Sequence, residues 1–274
     1  MPARTMRLAL RTPFSSRPRY LGKQRLRLAG GAETTLYVAA YDARKVEVAV
    51  VQLERPAPLE AWCRTRGYDE AIVGGFYVRP HGTPLGELRT HGVTRTYVPF
   101  DEPYDALRAC VCVVGGELRL ARRDDLPADP PGDLLQAGPL LLAGGERVAD
   151  DDPEGFSSGA GQFDSDITAG RYPRAALARS GDRIMAVACD GRADDEAGLT
   201  FTELAEALRA LGATDAINLD GGGSTSLVCG GKLRNRPREE HGIVLDGGRP
   251  VSTALVFRQR RAGRAEPNRP IGSS

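Results

Sequence analysis

The sequence predicts an α+β fold: a mixed, mainly antiparallel β-sheet core carrying a few packed helices, in a single domain. Short alternating apolar runs recur along most of the chain, and few stretches show a helical stripe. Strands and helices do not alternate in the regular βαβ order that builds a parallel sheet. With 274 residues, 41% of them hydrophobic, the chain has ample apolar surface for a core.

The first 27 residues carry eight Arg and Lys and no acid, and residues 1–30 read as a basic N-terminal arm, partly ordered at best. From Leu36, LYVAAY alternates, a turn follows at residues 42–44, and KVEVAVVQL alternates again, so a β-hairpin is expected. PLEAWCRTRG then spaces Leu59, Trp62, Cys63 and Arg66 by three and four, with Gly67 where a helix stops. The strand EAIV and the pair Gly74–Gly75 follow. Strands are read in RACVCVVGGELRL, QAGPLLLAGGERV and RIMAVAC, with a proline-rich loop and a long acidic loop between them. TFTELAEALRALG predicts the most secure helix. Thr200 and Glu203 stand at capping-box spacing, Phe201, Leu204, Ala205, Leu208 and Leu211 form one stripe, and Gly212 supplies a left-handed stop. After Gly67 comes YDEAIVGG and after Gly212 comes ATDAINLDGG, two similar helix-strand units whose strand ends are expected side by side. The domain is read over 31–258 and a disordered tail over 259–274.

Charge and cysteine usage narrow the function classes. A net charge of +1 gives no global attraction to nucleic acid or a membrane surface. No run of about 18 apolar residues exists to cross a bilayer. The apolar runs near the N-terminus are too short for a signal-peptide core, and several of the five cysteines sit in runs that read as buried strands, such as ACVCVV. Reduced thiols in a cytoplasmic protein are expected.

The segment AINLDGGGSTS is the strongest chemical signal. Period two puts Asn218 and Asp220 on one face of a strand, with Ile217 and Leu219 on the other. Gly221, Gly222 and Gly223, followed by Ser224, resemble a phosphate loop whose N–H groups converge on an anion. The segment has no P-loop lysine, and Ser226 stands where a G-x-S-x-G nucleophile elbow needs glycine. Arg174 in RYPRAAL, and Asp190 and Arg192 in CDGR, sit at predicted strand ends where a guanidinium fork suits phosphate. A calcium site in the acidic loop is the rival reading. DDDPEG starts like an EF-hand, but the twelfth position from Asp150 is Gly161, and no metal is expected.

In order, GGFY, QAGPLLL, YPRAAL, CDGR, TELAEALRALGA, INLDGGGSTSLV, LRNRP and GRPVSTAL resemble the phosphodiester glycosidase family over roughly residues 34–257. NLDGGGS after a capped helix is the specific part. The chain has Val73 where the family often has Asn, and Ala175 where it often has Thr. The resemblance implies hydrolysis of the C–O bond of a sugar 1-phosphodiester, yielding free sugar and a phosphate monoester. It implies Asp220 as the carboxylate nearest the anomeric carbon, Asp190 as the second, and Arg174 and Arg192 at the departing phosphate. Asn218, Asn235, Gly74, Gly75 and the Gly221–Ser224 backbone would then position the substrate. A phosphoesterase cutting the P–O bond, and a binding protein without turnover, are the alternatives.

Overall fold

The computed structural model describes residues 19–148 and 170–260. In chain order its first strands are β1 (Arg19–Arg27), β2 (Glu33–Asp42), β3 (Val46–Ala57), β4 (Glu70–Val73), β5 (Tyr77–Val78), β6 (Thr83–Pro84), β7 (Leu88–Thr90) and β8 (Val93–Thr94). Next come β9 (Ala109–Val114), β10 (Glu117–Arg122), β11 (Asp133–Gln136), β12 (Leu140–Ala143) and β13 (Glu146–Arg147). The last are β14 (Arg174–Ser180), β15 (Arg183–Cys189), β16 (Asp215–Asn218), β17 (Leu227–Cys229), β18 (Lys232–Leu233) and β19 (Val251–Gln259). Among the described residues the α-helices are α1 (Leu59–Arg66), the single turn α2 (Tyr104–Leu107) and α3 (Phe201–Ala210).

A seven-stranded sheet runs β1-β2-β15-β14-β16-β12-β13. Two five-stranded sheets run β10-β9-β11-β7-β8 and β18-β17-β4-β19-β3, and β5 pairs with β6. Alternation along β15 shows how the layers stack. Ile184, Ala186 and Ala188 enter the core that all three large sheets share, whereas Met185, Val187 and Cys189 enter a second core with α3. Both faces of the strand are therefore buried, which is why RIMAVAC is apolar without a break. Each large side chain so buried is worth about 1.5–3 kcal/mol.

Helix α3 is built as its sequence dictates. Thr200 Oγ1 accepts from Glu203 N at 3.1 Å, and Glu203 Oε2 accepts from Thr200 N at 3.1 Å. Phe201, Leu204, Ala205 and Leu208 are buried against the seven-stranded sheet, and Gly212 follows at φ 86°. Helix α1 stops at Gly67, φ 73°.

Several expectations are corrected. The sheets are not mixed: every ladder between the named strands is antiparallel. Among the described residues parallel pairing is limited to the isolated Leu85–Val98 bridge. The hairpin expected from β2 and β3 does not form: β2 pairs with β1 and β15, and β3 with β19. Alternation identifies a strand but not its partner, and a tight turn can pass the chain between layers. The basic arm is shorter than read, because Arg19–Arg27 form an edge strand of the main sheet. The two helix-strand units do meet at their strand ends, although β4 and β16 belong to different sheets: Asp220 N donates to Gly74 O at 3.0 Å.

Candidate active site

Asp220 stands where β16 leaves its sheet and touches the end of β4. Leu219 N donates to Ala175 O at 2.8 Å and Asp220 N to Gly74 O, so the backbone is pinned on both sides of the carboxylate. Gly74 must be glycine for this approach: a Cβ there would lie 2.4 Å from Thr253 Oγ1 and 2.9 Å from the Thr253 carbonyl carbon. Gly75 N donates to Thr253 Oγ1 at 3.0 Å, and its own Cβ would meet Gln136 O at 3.1 Å. The glycine pair expected to touch substrate thus serves close backbone packing, which presents the Gly74 carbonyl to Asp220.

The Asp220 side chain is 8% exposed, and its Oδ1 accepts from Gly221 N at 2.8 Å. Burial pushes its carboxyl up to about 6, against the opposing influence of Ser224, Arg249, the Gly221 N–H and Arg79. Tyr77 lies in the same field: burial first, and then the Asp220 charge, raise its phenol.

Much of the glycine loop's hydrogen bonding is internal. Gly222 takes φ 58° and donates to Pro173 O at 2.9 Å, and Ser224 N donates to Gly221 O at 3.1 Å. Three of the four N–H groups from Gly221 to Ser224 are therefore committed within the protein, and the expected cradle of converging donors is not formed. Asn235 braces this loop from outside, accepting from Leu227 N at 2.9 Å and donating to Thr225 O at 2.7 Å, so both ends of its amide are occupied. Asn218 is 2% exposed, donates to Leu219 O at 2.7 Å, and leaves Oδ1 buried without a protein partner among the described residues.

Asp190 ends β15 and is 4% exposed. Its Oδ2 accepts from the Tyr37 hydroxyl at 3.1 Å and its Oδ1 from Arg236 N at 2.6 Å. Burial raises this carboxyl, and those two hydrogen bonds oppose the rise. Arg192 takes φ 60°, a conformation uncommon without glycine. Its guanidinium donates to Arg238 O at 3.2 Å and lies 3.8 Å from Glu239 Oε2. Glu239 in turn receives both forks of Arg249, Nε at 2.6 Å. A Cβ on Gly223 would sit 2.7 Å from Glu239 Oε1, so the third glycine makes room for this carboxylate. Arg249 N donates to Gly223 O at 3.0 Å. The polar chain Arg192, Glu239, Arg249 thus runs along the loop towards Asp220.

Arg174 packs against α3. It is 2% exposed, donates to Leu199 O at 2.6 Å and Gly170 O at 2.9 Å, and lies 3.8 Å from the Phe201 ring centroid. Residues 174, 176 and 178 of β14 face α3, and the guanidinium packs between sheet and helix. Pro173–Arg174 locates a strand end but not the face on which the arginine emerges. Arg249, Glu239, Tyr77, Tyr37 and Glu196 carry much of the site's electrostatics and were not singled out from sequence. Arg249 lies in GRPVSTAL, one of the segments that carry the family resemblance, and that is its sequence signal.

Among the described residues no group of three or more His, Cys, Asp or Glu side chains is arranged to hold a metal ion. The acidic segment carrying DDDPEG lies outside the described residues. All five cysteines are buried, and none is in a disulfide.

No curated protein matches the sequence. Among solved structures, the zebrafish N-acetylglucosamine-1-phosphodiester alpha-N-acetylglucosaminidase catalytic domain, auto-inhibited by its pro-peptide, superposes with a TM-score of 0.67 at 20% identity, covering 90% of this chain and 86% of that one. A hypothetical protein from Synechocystis matches with a TM-score of 0.59 at 21% identity, over 88% of this chain and 62% of that one. A putative exported protein from Burkholderia pseudomallei K96243 matches at 0.55 and 17%, over 84% and 75%. These likenesses establish the fold. The family model for phosphodiester glycosidases matches residues 66–258, which include both carboxylates, the glycine loop and the Arg249–Glu239 pair. The chain belongs to the phosphodiester glycosidase family.

Proposed function

We propose that the protein is a hydrolase that cleaves the glycosidic C–O bond of a sugar 1-phosphodiester, releasing free sugar and a phosphate monoester. The observation that carries this reading is Asp220, a carboxyl raised to about 6 by burial and set beside the Arg249–Glu239 pair. At neutral pH such a group is mostly ionised, so it can act as base or nucleophile at the anomeric carbon. The departing phosphate monoester has a second pKa near 6 and leaves with little help from a general acid, unlike the alcohol of an ordinary glycoside. Asp190 is the second carboxylate in this scheme, and Arg192 and Arg249 are the guanidiniums that meet the phosphate.

The reaction so written needs no metal, and activity that survives exhaustive chelation is the expected result. The test of the bond cleaved is turnover of a panel of sugar 1-phosphodiesters in oxygen-18 water, with products resolved by mass. N-acetylglucosamine, the sugar in the zebrafish protein's name, belongs in that panel. Label in the reducing sugar supports C–O hydrolysis. Label in the phosphate replaces it with a phosphoesterase, and binding without turnover leaves a carbohydrate-phosphate receptor.

A further inference from the structure

Asp190 is one end of a hydrogen-bonded chain that starts in β1, outside the segment matched by the family model. Arg25 on β1 stands opposite Thr35 on β2. Its guanidinium reaches Glu196 Oε1 at 2.5 Å, Thr35 Oγ1 at 3.0 Å, Glu33 Oε2 at 3.1 Å and the Asp195 carbonyl. Glu196, 8% exposed, also accepts from Thr35 N at 2.6 Å and Thr35 Oγ1 at 2.7 Å. The Thr35 carbonyl then accepts from Asp190 N at 3.0 Å. One threonine thus ties the Glu196 carboxylate to the Asp190 main chain: its N–H and O–H donate to Glu196, and its C=O accepts from Asp190 N.

The other groups around Asp190 are Tyr37 from β2, the Arg236 N–H and the buried Arg238 from the segment after β18, and Arg192 two residues on. Lys23 of β1 lies 5.5 Å from the Tyr37 ring centroid. Glu196 is the neighbour whose negative charge opposes ionisation of Asp190. A second buried carboxylate is tolerated only when a cation pairs with it, and Arg25 is that cation.

We propose that Arg25 and Glu196 are positioning residues for Asp190: the negative charge of Glu196 opposes that of Asp190 while Thr35 ties Glu196 to the Asp190 main chain, and Arg25 pairs with Glu196 and offsets its charge. Asp190's part in turnover rests on the function proposed above, whereas the coupling itself does not.

The test is a carboxyl carbon-13 NMR titration of Asp190, assigned by its loss in Asp190→Asn, in the wild type, Glu196→Gln and Arg25→Met. Activity on the phosphodiester panel is followed against pH in the same proteins. Removing the Glu196 charge should lower the Asp190 midpoint by about one pH unit, and removing the Arg25 charge should raise it by a similar amount. Arg25→Lys, which keeps the charge, should bring it back to the wild-type value. Midpoints that stay put, or that move in the same direction in both variants, overturn the proposal and leave a purely structural clamp. If Arg25→Met does not fold, the sign of the Glu196→Gln shift decides alone. Opposite shifts without phosphodiester turnover would retain the coupling and remove the proposed reaction. Turnover with unmoved midpoints would do the reverse.

Discussion

Replacing Asp220 with Asn separates catalysis from stability at one position. The Asn keeps the shape, and its Oδ1 can still accept from Gly221 N, but the charge is gone. In the folded state the carboxyl is raised from 3.8 to about 6, so below pH 3.8 it is neutral in both folded and unfolded chains. As pH rises from there the unfolded chain ionises first, and the folded chain loses stability until its own carboxyl ionises near 6. Two pH units correspond to about 3 kcal/mol at full ionisation. Between pH 4.5 and pH 8 the stability gap between Asp220→Asn and the wild type should therefore widen by about 2 kcal/mol in favour of the variant. In a domain of this size that is a relative rise in Tm of about 4–8 °C. Denaturant unfolding at the two pH values measures it directly, and turnover of the phosphodiester panel should fall to background in the same variant. A gap that is the same at both pH values would falsify the raised carboxyl. Full turnover in the folded variant would remove Asp220 from the reaction.

Three further outcomes follow from the packing. Thr200→Ala removes half of the α3 capping box and should cost about 1 kcal/mol in denaturant unfolding, leaving activity near the wild-type level. Gly74→Ala drives a methyl into Thr253 and should destabilise by about 1–3 kcal/mol, while displacing the carbonyl that holds Asp220 N lowers activity beyond what the stability loss explains. Burial pushes the thiols of Cys63 and Cys189 up to about 12, so they should resist a thiol reagent at pH 8 and react once the chain is unfolded.

Local features were legible because their causes are local. The α3 cap and stripe, the stop at Gly67 and the strand before Asp220 each depend on residues a few positions apart, and each stands where the sequence puts it. The position of Asp220 just past a strand end was legible for the same reason, since a strand running into Asn-Leu-Asp and three glycines is a contiguous signal. The packing of Arg174 on α3 was not legible, because a proline-arginine pair carries no information about which side of β14 faces the helix. Gly74 and Gly75 read as substrate contacts because glycine permits close approach to anything, and only the fold shows that the approaching group is Thr253.

The sequence by itself determined helices α1 and α3, strands such as β2, β3, β4, β15 and β16, the burial of the cysteines and the carboxylate after β16. Tertiary structure alone decided the partners. It parted β2 from β3, brought the ends of β4 and β16 together, delivered Glu239 and Arg249 to the glycine loop, and tied Arg25 to Glu196 across 171 residues. The physical reason is that periodicity and caps act over one or two turns of chain, whereas the charge state of a buried carboxyl depends on which distant groups share its space. That is set by how the sheets stack.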